Sequence, residues 1–116
     1  MTSVVDTALA LHYSWGKGSE GWHLLDRRDL SIIQELVPPG DRERRHYHSA
    51  ARQFFYILKG EAVIEVDDSR FVLRSGQGLE VPPGVSHQFM NESEYDVWFL
   101  VVSAPRAHGD RADIWR

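Results

Sequence analysis

The chain has 116 residues, 42% of them apolar, and sets 13 lysines and arginines against 17 aspartates and glutamates, a formal charge of -4. That length supports one core of ordinary size, and without a long basic run nucleic acid and anionic membrane are poor partners. There is no cysteine, which excludes a disulfide scaffold, a thiolate nucleophile and a cysteine-ligated metal, so any ion must be held by nitrogen or oxygen.

Met1 to Asp6 lack the basic start of an export signal, and Asp6 interrupts the apolar run from Val4 to Leu11; a cytoplasmic chain without a membrane span is expected. Residues 1–29 read as an irregular arm, in which Trp15-Gly16-Lys17-Gly18 and Gly21-Trp22-His23 are loops that pin aromatic rings against a larger body. Leu30 to Val37 is a strand stopped by Pro38-Pro39-Gly40, and further strands are expected over Arg44 to His48 and Gln53 to Leu58. Ala62 to Val66 and Arg70 to Leu73 flank Asp67-Asp68-Ser69 as a hairpin. Leu79 to Val81 runs into Pro82-Pro83-Gly84, and His87 to Asn91 and Tyr95 to Val102 complete the set, leaving 103–116 as a polar tail across the outside. Short strands divided by Gly/Pro-rich turns predict one all-β domain over 1–116, a sandwich or barrel whose sheets bury their own apolar face.

His46 and His48, two apart on one strand, project onto one face and can grip a single ion. Gln53 opens the next strand, while His87 and Asn91 share a phase much later in the chain. Converging inside a barrel, these could supply three imidazoles and an amide oxygen, a set suited to Zn, Mn, Fe, Ni or Cu alike. His12, His23 and His108 have no such companions and read as surface or satisfied polar groups.

The patterns Gly40-x5-His46-x-His48-x4-Gln53-x6-Gly60 and Gly76-x5-Pro82-x-Gly84-x2-His87-x3-Asn91 resemble the two signature motifs of the cupin superfamily. The second matches throughout; the first departs where the usual glutamate is Gln53. The resemblance implies a double-stranded β-helix, the jelly-roll cupin barrel, with His46, His48, Gln53 and His87 as ligands of a divalent metal ion. It leaves the chemistry open, because cupins include dioxygenases, isomerases, epimerases, decarboxylases, lyases and non-catalytic binders.

Gln53 carries physical information. Three neutral imidazoles and an amide leave a divalent ion with its full charge of about +2, whereas a glutamate would reduce it to about +1. Carboxylates, enolates and other anionic oxygens are therefore expected in the open positions, and the partner is expected to be a small anionic metabolite. In size and donor set the chain resembles small cupins that act on unsaturated uronate sugars from pectin and alginate. Around the site, Phe55 and Ile57 share the phase of Gln53 and should line the barrel, with Phe54 and Tyr56 facing out. Phe89 and Asn91 could close the pocket, Arg44 shares the phase of His46 at the rim, and Glu80, His108 and Asp110 are acid or base candidates if folded over the mouth.

Four tryptophans, five phenylalanines and four tyrosines exceed what a small barrel with a polar interior can hold, so a homodimer through an aromatic outer sheet face is expected. Two classes of function follow: a metal-dependent enzyme performing sugar isomerisation, uronate ring opening or dioxygenation, and a non-catalytic small-molecule or metal-binding cupin.

Overall fold

A computed structural model describes residues 2–107 and 109–114. Its strands are β1 (Leu11–Trp15), β2 (Ser19–Asp26), β3 (Ser31–Val37), β4 (His46–His48), β5 (Arg52–Lys59), β6 (Glu61–Val66), β7 (Ser69–Arg74), β8 (Gly78–Val81), β9 (His87–Met90), β10 (Val97–Ala104) and β11 (Arg111–Asp113). They form a six-stranded sheet in the order β1-β2-β3-β10-β5-β8 and a five-stranded sheet in the order β11-β4-β9-β6-β7, every pairing antiparallel. Among the described residues no helix is long and apolar enough to cross a membrane.

The period-two alternation expected of a half-buried strand is clearest in β5. Gln53, Phe55 and Ile57 are buried between the sheets, while Phe54, Tyr56 and Leu58 face outward. Asp67 and Asp68 form the two-residue turn between β6 and β7, and Asp67 takes φ of 51°, the left-handed conformation that such a turn requires and that aspartate tolerates. Between the sheets Phe89 and Phe99 stack with centroids 4.0 Å apart, joined by Phe55, Ile57, Ile64, Val37 and Val97. This apolar packing fills one end of the sandwich and leaves the other to polar side chains.

Two segments differ from expectation. Residues 1–29 are not irregular throughout: β1 and β2 form a hairpin about Gly16 and Gly18, whose φ values of 58° and 116° let the chain reverse, and β2 pairs onto β3. Nor is 103–116 only a tail, since β10 continues to Ala104 and β11 pairs with β4, setting Arg111 opposite His48 and Asp113 opposite His46. The strand expected from Arg44 begins at His46. Arg45 is buried before it, and its guanidinium donates to the Asp67 carbonyl and to Ser86 Oγ at 3.2 Å. Tyr13 of β1 lies across Gly21 of β2, where a Cβ would overlap its ring, and its hydroxyl donates to Glu35 of β3. The missing side chain opens the path by which Tyr13 reaches the interior.

Candidate metal centre

The alternation of β4 turns His46 and His48 inward, and the register of β4 on β9 sets His46 opposite His87. All three are buried, with ring centroids 5.0 Å (His46–His48), 4.4 Å (His46–His87) and 5.9 Å (His48–His87) apart. One nitrogen from each lies within 4.8 Å of the others.

The second nitrogen of each ring is already committed. His46 Nδ1 donates to the Arg44 carbonyl at 2.6 Å, His87 Nδ1 to the Val85 carbonyl at 3.1 Å, and His48 Nδ1 to Asp110 Oδ1 at 2.7 Å. A carbonyl or carboxylate only accepts, so each Nδ1 carries the proton and each Nε2 offers a lone pair. Burial pushes the His46 and His87 imidazoles down to about 3 and about 4, which keeps both neutral at physiological pH. Asp110 also accepts the Ala50 and Ala51 N–H groups at 3.0 Å each; burial raises its carboxyl, but these donors and His48 outweigh that and hold it below the usual range.

Gln53 reaches the cluster from the opposite sheet. Its Nε2 donates to Ser103 Oγ at 3.0 Å, and its Oε1 is buried with no hydrogen-bond partner, as is His87 Nε2. Buried polar atoms left unpaired are costly and rare, and these two belong to donor types that bind divalent ions. Three imidazoles held in one tautomer, with an amide oxygen beside them, fit a divalent transition ion; the set contains no sulfur and suits Zn, Mn, Fe, Ni or Cu.

Beside the imidazoles is a cavity of about 150 Å³ whose lining includes Glu35, Glu43, Gln53, Phe55 and Arg111. Glu35, Glu43 and Arg111 also line a larger space of about 440 Å³ that extends to Tyr13, Trp15, Arg42 and Arg44. Glu43 Oε1 accepts the Phe89 N–H at 3.0 Å, and its Oε2 lies 3.9 Å from His46 Nε2. Burial, with Glu35 nearby, pushes the Glu43 carboxyl up to about 8; burial likewise takes Glu35 to about 7 despite the Tyr13 hydroxyl and Arg111. Burial and the adjacent Glu35 also raise Tyr13.

Glu35, Glu43, Tyr13 and Arg111 are absent from the residues singled out in the sequence. For Glu35 a signal exists: it shares the inward phase of Ile33 and Val37, and a carboxylate on an apolar strand face marks a pocket. Of the residues that are singled out, Arg44 does line the larger cavity, with its Nε 3.7 Å from Asp113. Asp110 reaches the site, as an orienting partner of His48. Asn91 does not close the pocket: fully buried, it donates to the carbonyls of Val37 and Tyr95 and accepts from Ser93, fixing the turn after β9. Phe89 belongs to the core stack, and Glu80 pairs with Arg52 on the exposed side of β8. His12 meets Glu20 at 2.9 Å on the outside, and His108 lies outside the described residues.

The model of the Cupin domain matches residues 33–103. Protein SchB of Streptomyces halstedii is 38% identical over 74 residues, covering 61% of this chain and 54% of SchB, so the chain spans about half the length of that relative. The oxalate-binding protein of Thermotoga maritima is 30% identical over 93 residues, 75% of this chain and 77% of that protein. Among solved structures, the polyketide cyclase RemF from Streptomyces resistomycificus superposes with a TM-score of 0.85 at 17% identity, covering 100% of this chain and 87% of that one, a likeness of fold. With the family match spanning both histidine motifs and the double-stranded β-helix around them, the chain belongs to the cupin domain family.

Proposed function

We propose that this cupin is a metal-dependent enzyme that moves a proton on a small, oxygen-rich anionic metabolite, in the manner of a sugar isomerisation or a ring opening. The observation that carries the reading is Glu43, a carboxyl 3.9 Å from His46 Nε2 and at the wall of the adjoining cavity. Storing or sensing an ion needs no such group, whereas proton transfer at a polarised carbon needs an acid or base with its pKa near neutrality.

His46, His48, Gln53 and His87 would hold the ion, which when bound supplies a Lewis acid for a carbonyl or hydroxyl oxygen. Glu43 takes and returns the proton at Oε2, while the Phe89 N–H anchors its other oxygen. Tyr13 and Glu35 share a hydrogen bond beside it and form a second place where a proton can rest. An anionic substrate entering the larger cavity meets Arg111 and Arg44. Trp15 and Tyr13 line the same cavity. Two relatives bear names compatible with oxygen-rich ligands, an oxalate-binding protein and a polyketide cyclase.

The test is anaerobic incubation of the metal-loaded protein with aldoses, ketoses and unsaturated uronates in heavy water, followed by NMR. Turnover with deuterium incorporation is expected, falling about a hundredfold or more in Glu43→Gln while metal content stays the same. Turnover that requires oxygen would replace this reading with dioxygenation, and ligand binding without turnover would replace it with a non-catalytic binder.

A further inference from the structure

We infer that a second cavity, on the far side of Gln53 from Glu43, is a subsite for the distal end of an elongated oxygenated ring compound whose reacting end lies at the metal centre. The inference rests on the proposed metal-dependent reading and extends it to the class of substrate.

The cavity has a volume of about 260 Å³ and shares Ile33, Gln53 and Val101 with the space beside the imidazoles. The interior is therefore a cleft in three segments, with the imidazoles in the middle one. A compact dianion such as oxalate would occupy only that middle segment of about 150 Å³, leaving the outer two empty. A molecule that uses the whole cleft must be long, and it must carry oxygen on both sides of its reacting centre, since both outer segments present hydrogen-bonding groups.

The polarity of the distal segment follows from Gln53. Its Nε2 donates to Ser103 Oγ, so the Ser103 hydroxyl proton is not used by Gln53, and among the described residues no acceptor takes it. A glutamate at position 53 would instead accept that proton. The glutamine therefore does two things at once: it leaves Oε1 toward the imidazoles and turns Ser103 into a hydrogen-bond donor on the other side. Arg106 adds a second donor. One of its nitrogens donates to Asp26 at 3.2 Å, and the residue lines the same cavity. His23 completes the wall. Ile33 and Val101 supply apolar surface between these groups, which favours a ring over an open, fully hydrated chain.

The experiment compares two probes on zinc-loaded protein by anaerobic calorimetry: quercetin, a long hydroxylated ring ketone, and oxalate. Wild type should bind both at one per chain. Ser103→Ala and Arg106→Gln should each weaken quercetin by about fivefold or more, the loss of one ligand hydrogen bond, and leave oxalate within about twofold. Among the described residues Arg106 hydrogen-bonds Asp26 and Arg28 and none of the metal-site residues, so it separates ligand recognition from any disturbance of Gln53 in the Ser103 variant. Equal weakening of oxalate and quercetin, unchanged quercetin affinity in the Arg106 variant, or wild type that binds oxalate and not quercetin would overturn the subsite while leaving the metal-dependent reading intact. Failure of wild type to take up zinc would overturn both.

Discussion

Asp110→Asn should separate the holding of a metal from the presence of its ligands. Asp110 accepts three hydrogen bonds, from His48 Nδ1 at 2.7 Å and from Ala50 and Ala51 N–H at 3.0 Å each. An asparagine has one accepting oxygen and cannot face both sides. If that oxygen stays with the two backbone donors, the new amide points its hydrogens at His48 Nδ1, which must then accept, moving the ring proton to Nε2 and removing the ligand lone pair. Loss of such an orienting partner lowers metal affinity by about 10- to 100-fold, or about 1.4–2.8 kcal/mol. If the amide instead turns its hydrogens toward Ala50 and Ala51, donors face donors, and the metal-free fold should lose about 1–3 kcal/mol. Competition for zinc against a chromophoric chelator, alongside urea unfolding of the metal-free protein, reads both branches. Zinc affinity within twofold of wild type together with unchanged stability would refute the argument that Asp110 fixes the His48 tautomer.

The metal-free protein should have a flat stability profile between about pH 4.5 and 6.5. Below 6.5 the unfolded chain protonates its histidines while folded His46 and His87 stay neutral, so stability is lost as pH falls; above 4.5 the unfolded chain ionises its glutamates while folded Glu35 and Glu43 hold their protons, so stability is lost as pH rises toward 7 and 8. The two pairs offset each other in the overlap and leave slopes of up to about 2.7 kcal/mol per pH unit outside it, and urea unfolding that shows a steady gain through pH 8 would contradict this. Gly21→Ala should expel Tyr13 from the interior and strip Glu35 of its donor, costing about 1–3 kcal/mol in thermal or urea unfolding, with a Tyr13→Phe, Gly21→Ala double variant losing less than the sum of the two singles. A homodimer is expected through the outer face of the six-stranded sheet, where Phe54, Tyr56 and Leu58 are exposed and Trp22 stacks on Trp98; sedimentation should give about twice 13.3 kDa, and Tyr56→Lys should shift it toward the chain mass.

The strands that alternate cleanly are those whose inner face is apolar. Gln53 to Leu58 and Ala62 to Val66 could be placed from their residues because Phe55, Ile57 and Ile64 pack into a hydrophobic core. β1, β2 and β11 escape that reading for the same physical reason. Their inward or flanking positions carry Tyr13, His23 and Arg111, which line a polar cleft, and Gly21, which lies under the Tyr13 ring, so the alternation of apolar and polar residues is missing where the chain builds its site. Residue spacing brings out His46, His48 and His87 because all three sit on short, in-phase strands. It cannot bring out Glu43, which precedes β4 and reaches the site through a loop held by the Phe89 N–H, nor Tyr13, whose entry depends on an absent side chain on the neighbouring strand.

The three imidazoles all belong to the five-stranded sheet and the amide of Gln53 to the six-stranded one. An ion bound by all four would therefore bolt the two sheets together at the end where the hydrophobic core gives out. In a chain with no cysteine to cross-link its layers, this is the position at which breathing motions would otherwise admit solvent, and backbone amides of β4 and β5 would report it through their rate of hydrogen exchange. Occupancy of the centre and rigidity of the cleft mouth would then be one variable, so that ligand access is tuned by the strength of a single Gln53–metal bond, with no lid required.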